Sequence, residues 1–254
     1  AFITAMSGAD VIVINGEGTL HHGKPAGAAL LKIVDHPSRG NTPVAVINAL
    51  YENNPTAWND WLSKCDLLAA RDSESASAMG AASGKPVRWL PDLSLTAAAP
   101  TFTAPRSGVI VGDSVKFSVR KMLARATAAI PNARFIPTKT LRAPIWNWQL
   151  ARSLLYRVYN GVFLVKTPPF SMPKDEQAYL AEIASADLHI TGRFHAVCMS
   201  ILVGTPFLAV TSNASKIERL LHDAGLDNGR IVAADALQAP PIAAPFKEDE
   251  RRAI

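Results

Sequence analysis

Short apolar runs rich in β-branched residues alternate along the chain with longer stretches that carry apolar residues at helical spacing. The runs predict strands at residues 11–15, 44–48, 67–70, 109–111, 134–137, 162–165, 188–191, 207–210 and 230–232. The stretches between them predict helices at residues 26–34, 56–63, 73–83, 115–129, 175–184, 194–203 and 215–224. Several strands are apolar throughout, as in parallel sheets covered on both faces. The pattern predicts an α/β fold built from right-handed βαβ units.

A break in this pattern falls at residues 91–107, which contain three prolines and a run of small residues. The β/α alternation restarts at Gly108. We therefore predict two Rossmann-like lobes at residues 1–100 and 106–232, with parallel sheets flanked by helices. Residues 233–254, rich in alanine and proline, are expected to form a peripheral C-terminal tail. A single sheet with a long connecting loop is the alternative.

Composition narrows the class of protein. The 254 residues are 48% hydrophobic and 19% charged, which excludes a disordered chain. The net charge of +5 favours anionic ligands, but the basic residues form no stripe interleaved with aromatics, so nucleic acid is not an expected partner. The longest apolar stretch, residues 196–210, is too interrupted to span a bilayer. Cys65 and Cys198 form no disulfide or metal pattern, and we expect a cytoplasmic, reducing location.

Ligands of parallel sheets bind beyond the carboxyl ends of the strands. After the first strand, Gly16 and Gly18 flank Glu17 and can turn the backbone so that its N–H groups face a ligand. The third glycine of a dinucleotide fingerprint is missing, so no nicotinamide cofactor is predicted. The histidines that follow, His21 and His22, are expected to point in different directions, and we predict no metal site. A plain turn with a solvated histidine pair is the alternative.

The second candidate site follows the strand at residues 188–191. Gly192 and Arg193 precede a helix whose first turn holds His195. A helix N-terminus attracts anions, and a guanidinium matches carboxylate or phosphate. His195 can act there as an acid or base near neutral pH. The competing interpretation is an Arg193 paired with a surface carboxylate and a space-filling His195.

A third cluster lies one βα unit later and contains Ser212, Asn213 and Lys216. Lys216 opposes the helix dipole unless an anion is near, although a simple capped helix remains the alternative. Further polar residues at strand ends are Asn48, Arg71 and Asp113. Asp113 is a candidate general base or hydroxyl ligand, or else a helix cap. Asp72, next to Arg71, is expected to cap a helix.

Three segments carry a resemblance to a known family: DVIVINGEGTLHH at residues 10–22, AARDSESA at 69–76 and LHITGRFHAVCMSILVGTPFLAVTSNASKIERLL at 188–221. Together they resemble the polysaccharide pyruvyl transferase family, over about residues 8–226. The resemblance implies a glycosyltransferase-B-like fold. It also implies transfer of the carboxyethylidene group of phosphoenolpyruvate onto a sugar of a bacterial cell-surface polysaccharide, with a glycan or lipid-linked acceptor. Arg193, His195 and Lys216 map onto the phosphoenolpyruvate site.

The expected chemistry needs a proton at the methylene carbon of phosphoenolpyruvate and a base for the sugar hydroxyl. His195 is the candidate for the acid or for stabilising the departing phosphate, and Glu17, His21 and Asp113 are the candidate bases. No cofactor or metal is required. Two departures stand out: the family's Gly/Asn-rich first turn is missing, which predicts a first lobe truncated at its start, and Ala196 occupies a position commonly held by glycine.

Two other functions stay open at this point. One is a glycosyltransferase using a nucleotide-activated sugar, for instance a CMP-linked acidic sugar, and the other is a non-catalytic module that binds anions or glycans. An aromatic and basic cluster containing Trp146, Trp148 and Arg152 is compatible with a peripheral position at the inner face of the membrane. At helical spacing, the same cluster is also typical of core packing with a basic edge.

Overall fold

The computed structural model describes residues 2–96, 105–138, 145, 148–160, 170–210, 214–238, 245–248 and 250. The chain divides into two compact units, Ala1–Thr96 and Ala97–Ile254. The division falls within the proline-rich stretch at residues 91–107.

The first unit is built on a parallel sheet with the strand order β1-β2-β3-β4. Its elements are α1 (Phe2–Ser7), β1 (Ile12–Glu17), α2 (Pro25–Leu31), β2 (Val44–Ala49), α3 (Trp58–Ser63), β3 (Leu67–Ala70), α4 (Ser73–Ser83) and β4 (Arg88–Trp89). Because sequential strands are neighbours, every crossover moves in the same direction along the sheet.

The two faces of the first sheet differ in burial. The cross-strand row Ile14, Val46 and Leu68 is buried against the helices and forms the core of this unit. On the opposite face, Val13 is 54% exposed and Leu67 is 39% exposed. The expectation that both faces of this sheet are covered is therefore not met among the described residues.

The second unit contains a parallel sheet with the order β6-β5-β7-β8-β9. Its described elements are β5 (Val109–Ser114), α5 (Phe117–Ala129), β6 (Ala133–Phe135), α6 (Gln149–Asn160), α7 (Glu176–Ala184), β7 (Leu188–Gly192), α8 (Phe194–Leu202), β8 (Phe207–Val210), α9 (Ala214–Asp223) and β9 (Ile231–Val232).

This second sheet is covered on both faces. Leu123 of α5 packs with Val111 and Ile190 in one core, while Ile183 of α7 packs with Ile110 in another. The chain runs from β5 outward to β6 and then returns to β7 on the other side of β5. The direction of winding therefore reverses between β5 and β7, and such a switch point is where doubly wound sheets bind ligands. The predicted class, Rossmann-like parallel sheets flanked by helices, is confirmed here.

Helix α6 is absent from the predicted elements, although leucine and valine recur in it at helical spacing. Leu150 is 86% exposed and Val158 is 64% exposed, whereas Arg152 is buried and donates from Nε to the Met172 carbonyl oxygen at 3.1 Å. Apolar periodicity therefore does not mark the inward face of this helix. The predicted strand at residues 162–165 lies outside the described residues, as does Trp146.

The C-terminal tail belongs to the second unit. Leu237 lies in its core, and Phe246 contacts the ring of Phe207 at a centroid distance of 5.9 Å. Arg230 and Glu250 form a buried ion pair, Nη2 to Oε2, at 2.8 Å. The expectation of a peripheral tail is wrong for these residues, because apolar side chains beyond residue 233 complete the core. Within the described ranges, no helix is long and apolar enough to cross a bilayer.

Candidate active site

The best-defined candidate site lies at the switch point of the second sheet. Ser114 ends β5 and pairs in register with Gly192, which ends β7. A Cβ atom on Gly192 would lie 2.7 Å from the Cβ of Ser114, closer than packed atoms approach. Glycine therefore allows these strand ends to meet, and the residues beside them, Asp113 and Arg193, come within hydrogen-bonding distance.

Asp113 and Arg193 form a bidentate ion pair. Arg193 donates from Nε to Oδ1 at 3.0 Å and from Nη2 to Oδ2 at 2.7 Å. Asp113 is fully buried, whereas the Arg193 side chain keeps 26% of its surface exposed. The backbone N–H and hydroxyl of Thr138 donate to Asp113 Oδ1 at 3.3 and 3.0 Å. This arrangement fixes the plane of the guanidinium while leaving part of it accessible.

The carboxylate of Asp113 is the anchor of a buried polar layer. Tyr179 and Thr138 share a hydrogen bond of 3.2 Å between their hydroxyl oxygens, and burial raises the pKa of Tyr179. His189 is fully buried, its Nδ1 lies 2.7 Å from the Ser200 hydroxyl, and burial lowers the pKa of His189 to about 3, against the opposing effect of Asp113. His189 is therefore uncharged at neutral pH and offers Asp113 no competing cation, and Tyr179 keeps its hydroxyl proton.

Helix α8 begins at the same place. Arg193 is its N-cap residue, makes no side-chain cap hydrogen bond, and its backbone N–H donates to Thr191 Oγ1 at 3.2 Å. No acidic residue lies in the first turn. His195 is half-buried in that turn, edge-on to the Phe194 ring at a centroid distance of 5.4 Å. The positive end of the helix, Arg193 and His195 therefore share one edge of the sheet, as an anion site requires.

Lys216 lies in the first turn of α9, which follows the neighbouring strand β8, and is half-buried. No acidic residue lies in that turn either. Lys216 is thus one strand away from Arg193 at the carboxyl edge of the sheet. Ser212 and Asn213, predicted to line the same site, lie outside the described residues.

In the first unit, Gly16 near the end of β1 has a packing role. A Cβ atom on Gly16 would lie 2.8 Å from the Cβ of Ala49, so glycine lets β1 and β2 approach. Gly18 lies in the turn that follows, and its carbonyl oxygen accepts a hydrogen bond of 3.2 Å from Lys24 Nζ. Glu17 is exposed at the end of β1 and has a φ of 34°, a left-handed value that is costly for a residue with a side chain.

Asn48 connects three parts of the first unit at the carboxyl edge of its sheet. Its Nδ2 donates to Asn15 Oδ1 at 3.3 Å, and its Oδ1 accepts from the Leu93 N–H at 3.3 Å. Its φ of 54° is again left-handed. Asn48 is buried, and the described contacts are to the protein itself.

Arg71 and Asp72 are buried side by side and have structural partners. Arg71 Nη1 lies 3.1 Å from Asp92 Oδ2 in a pair whose side chains are 4% and 2% exposed. Asp72 caps α4, accepting from the backbone N–H of Ser75 at 2.7 Å and from its hydroxyl at 2.8 Å. The prediction that Asp72 is an N-cap is confirmed. The predicted binding role of Arg71 is untested, and its burial leaves little surface for a ligand.

His21 is buried and its Nε2 lies 2.6 Å from Lys24 Nζ. The expectation that the two adjacent histidine rings diverge is wrong, because their centroids lie 4.9 Å apart. The chain turns at His22, whose φ is 55°, and this keeps both rings on the same side.

Sequence reasoning missed several residues that contact the predicted ones. Thr138, Tyr179 and His189 contribute to the layer around Asp113, and Glu52 lies beside His22. Thr138 and Glu52 each follow a strand by a few residues, so the rule that selects strand ends could have found them. Tyr179 and His189 lie inside α7 and β7, where the sequence carries no sign of a polar contact.

Comparisons with known proteins agree with this architecture. A family model described as polysaccharide pyruvyl transferase matches residues 5–213. Among curated protein sequences, none matches this chain. A crystal structure of a Listeria monocytogenes protein, assigned provisionally as a UDP-N-acetylglucosamine 2-epimerase, is similar with a TM-score of 0.51 at 9% identity. The similarity covers 93% of this chain and 67% of the Listeria chain.

Two further solved structures resemble the chain more weakly. The glycosylation-associated protein Gap123 complex of Streptococcus agalactiae has a TM-score of 0.49 at 15% identity, covering 93% of this chain and 48% of the other. MurG of Acinetobacter baumannii has a TM-score of 0.47 at 11% identity, covering 93% and 65%. The chain thus spans between about half and two thirds of the lengths of these structures.

The two parallel-sheet units and the site at a sheet switch point define a glycosyltransferase-B-like α/β protein. The matched family model covers most of the chain. The chain belongs to the polysaccharide pyruvyl transferase family, a family of transferases.

Proposed function

We propose that this protein transfers the carboxyethylidene group of phosphoenolpyruvate onto two hydroxyls of one sugar in a bacterial cell-surface polysaccharide. The observation that carries the proposal is the Asp113–Arg193 pair, which holds a partly exposed guanidinium at the switch point where α8 begins. Such a site suits a small ligand with several negative charges, and phosphoenolpyruvate carries both a carboxylate and a phosphate.

The donor is proposed to bind along the carboxyl edge of the second sheet. Arg193 and the first turn of α8 take one anionic group, and Lys216 at the start of α9 takes the other. The first turns of α8 and α9 contain no acidic residue, and this supports the assignment, since a carboxylate there would oppose a bound anion. Ser212 and Asn213 belong to the same proposed site by their place in the sequence, between β8 and α9.

Transfer begins with protonation of the methylene carbon, C3, which leaves a cation at C2. The first sugar hydroxyl attacks C2 and gives up its proton, and the second attacks as the C2–O bond to phosphate breaks. One hydroxyl proton balances the proton added at C3, and the other leaves with inorganic phosphate. His195 is the proposed acid at C3 or the stabiliser of the leaving phosphate.

The base for the sugar hydroxyl is proposed to be Glu17. Of the three candidates, Asp113 is fully buried and paired with Arg193, and His21 is buried beside Lys24. Glu17 is exposed at the end of β1, and its left-handed φ is the kind of strain that persists at functional sites.

The acceptor is proposed to be a glycan or lipid-linked sugar at the cytoplasmic face of the membrane. Helix α6 supports a peripheral membrane position, because it exposes Leu150 and Leu154 and follows Trp148, which is 70% exposed. Exposed tryptophan and leucine side chains on an amphipathic helix bind membrane interfaces.

The test is a thermal-shift titration with phosphoenolpyruvate, CMP, UDP and GDP. A ligand that binds only the folded protein raises Tm by mass action, and we expect a shift with phosphoenolpyruvate alone. Stabilisation by a nucleotide and none by phosphoenolpyruvate would instead favour a nucleotide-sugar glycosyltransferase.

The His195→Ala variant tests the role of His195. We expect this variant to keep the thermal shift with phosphoenolpyruvate while losing transfer to the acceptor. Full transfer by this variant would remove His195 from the mechanism.

A further inference from the structure

A cluster of potential metal ligands lies in the first unit, outside the proposed donor site. His21, His22 and Glu52 each offer a donor atom, and these atoms all lie within 4.8 Å of one another. The two histidines follow β1 and the glutamate follows β2, so the cluster belongs to the carboxyl edge of the first sheet.

The backbone holds the three residues together. His21 and Glu52 form a parallel β-bridge, and the backbone N–H of His22 donates to the Glu52 carbonyl oxygen at 2.9 Å. Asn54 braces the same turn, accepting from the Gly23 N–H at 3.0 Å and donating to the Leu20 carbonyl oxygen at 2.8 Å. The left-handed φ of 55° at His22 is thus fixed by hydrogen bonds on both sides of the turn.

The side-chain geometry is close to what a tetrahedral metal ion needs. His22 Nε2 lies 3.1 Å from Glu52 Oε1. In a tetrahedral zinc site with bonds of about 2.0–2.2 Å, neighbouring ligand atoms lie roughly 3.3–3.6 Å apart. The separation of the His22–Glu52 pair is slightly shorter than this, and His21 needs to move by roughly an ångström to join the pair. Because the His22 side chain is 53% exposed, an ion can reach the cluster from solvent.

A lysine ammonium occupies part of this environment. Lys24 Nζ lies 2.6 Å from His21 Nε2 and 3.2 Å from the Gly18 carbonyl oxygen. These acceptors therefore attract a cation in the described structure. Lys24 is exposed, and its flexible four-carbon stem lets the ammonium withdraw into solvent when another cation competes for the same donors.

We propose that His21, His22 and Glu52 form a binding site for a divalent transition metal of the zinc class. Imidazole nitrogens with one carboxylate oxygen suit Zn²⁺, and three protein ligands leave one position for water. Lys24 competes with the metal for His21. The metal-site proposal rests on these three residues alone and stands whether or not the proposed pyruvyl transfer holds.

The experiment measures metal binding by the tag-free, chelator-treated protein, using Co²⁺ absorption and Zn²⁺ competition. We expect one Co²⁺ with the visible bands of a four- or five-coordinate site, displaced by Zn²⁺. Glu52→Gln and His22→Asn should each weaken binding at least about 10-fold. Asparagine is chosen at position 22 because it tolerates left-handed backbone, so the turn is retained. Lys24→Met should strengthen binding, a result that a purely structural cluster would not give.

His222→Ala is the matched control, since His222 is also beside a carboxylate, 3.3 Å from Asp223, but lacks a second histidine. It should leave the affinity unchanged. The proposal is overturned if the wild-type protein binds no Co²⁺ or Zn²⁺ at submillimolar free metal. It is equally overturned if Glu52→Gln leaves the metal affinity unchanged. Thermal unfolding of each variant checks the fold. Glu52→Gln changes only one side-chain atom, so its metal affinity tests the proposal even if His22→Asn is unstable.

Discussion

Arg193 depends on Asp113 for its orientation. An arginine side chain on a helix start has many rotamers, and holding one of them costs conformational entropy. The buried carboxylate reduces this cost at binding because two hydrogen bonds already fix the guanidinium plane. Asp113 is therefore best described as a residue that positions Arg193, and its earlier assignment as a general base stays an untested prediction.

Asp113→Asn tests this positioning. The amide retains one acceptor oxygen and loses the charge, so Arg193 is held by one bond at most. We expect the affinity for phosphoenolpyruvate to fall about 10-fold or more and the stability to fall by about 1–3 kcal/mol. Titration calorimetry and denaturant unfolding measure the two effects.

Thr138→Val is the control for this variant. Thr138 donates to the same oxygen of Asp113 at 3.0 Å, and no described hydrogen bond joins it to Arg193. Its loss should lower stability while leaving phosphoenolpyruvate binding nearly intact. Equal losses of affinity in both variants, or no loss in Asp113→Asn, would contradict the positioning role.

At the scale of elements, the contact between β5 and β7 determines how close Arg193 lies to Asp113. The two strands are central in the sheet, and the helices that cover them lie on opposite faces. The register pairs Ser114 with Gly192, and the absence of a side chain on Gly192 allows the close approach. Any atom added there pushes the start of α8 away from Asp113.

Gly192→Ala should therefore destabilise the protein by about 1–3 kcal/mol, the usual cost of overpacking a tight contact. Ser114→Gly removes both atoms, Cβ and Oγ, that lie within 3 Å of the added methyl group. The double variant should regain part of the loss, which a double-mutant cycle measures as coupling.

Gly80→Ala is the matched control. Its added Cβ meets only ordinary contacts, 3.5 Å or more away, and the site lies inside helix α4, where alanine stabilises by about 0.5–1 kcal/mol. A tolerated Gly192→Ala, or additive single and double variants, would show that the strand ends are not tightly packed.

On the scale of the molecule, the C-terminal tail packs against the second unit through a buried ion pair. Glu250 accepts from Arg230 Nη2 at 2.8 Å and from the backbone N–H groups of Lys247 and Asp227 at 2.8 and 3.3 Å. Burial acts to raise the pKa of Glu250, but these donors outweigh it, and the pKa lies below its usual value. The charged form is therefore the one that stabilises the fold.

The lowered pKa of Glu250 predicts that the tail contributes to the free energy of unfolding in a pH-dependent way. Since the folded pKa is lowered, the stabilisation is fully present above the unfolded pKa of about 4.3 and is lost as the pH falls through the lower, folded value. Glu250→Gln should cost about 1–3 kcal/mol at neutral pH. The difference in the free energy of unfolding between this variant and the wild type should become smaller at acid pH.

Denaturant unfolding at several pH values measures the difference. Glu218→Gln, at an exposed position on α9, is the control and should have little effect at any pH. A difference for Glu250→Gln that stays constant down to acid pH would show that its carboxylate contributes no charge-dependent stability.

The sequence by itself determined the class of fold, and it placed the candidate site residues at the carboxyl edges of the sheets. Strands such as residues 207–210 were predicted with their observed bounds, because a continuous apolar run is a local property of the chain. Arg193, His195 and Lys216 were predicted as site residues for the same reason: each lies at a helix start that follows a strand.

Only the tertiary structure decided which groups meet. The partners Asp113 and Arg193 are 80 residues apart, and His22 and Glu52 are 30 apart, so their contacts depend on strand order and register. The apolar side chains of helix α6 recur at helical spacing but face outward, so the sequence alone does not show that Arg152 lies on the buried face. Local spacing encodes strands and helix starts. The strand order, in which the chain returns from β6 to pair β7 with β5, is a property of the whole fold, and this order brings Asp113 within hydrogen-bonding distance of Arg193.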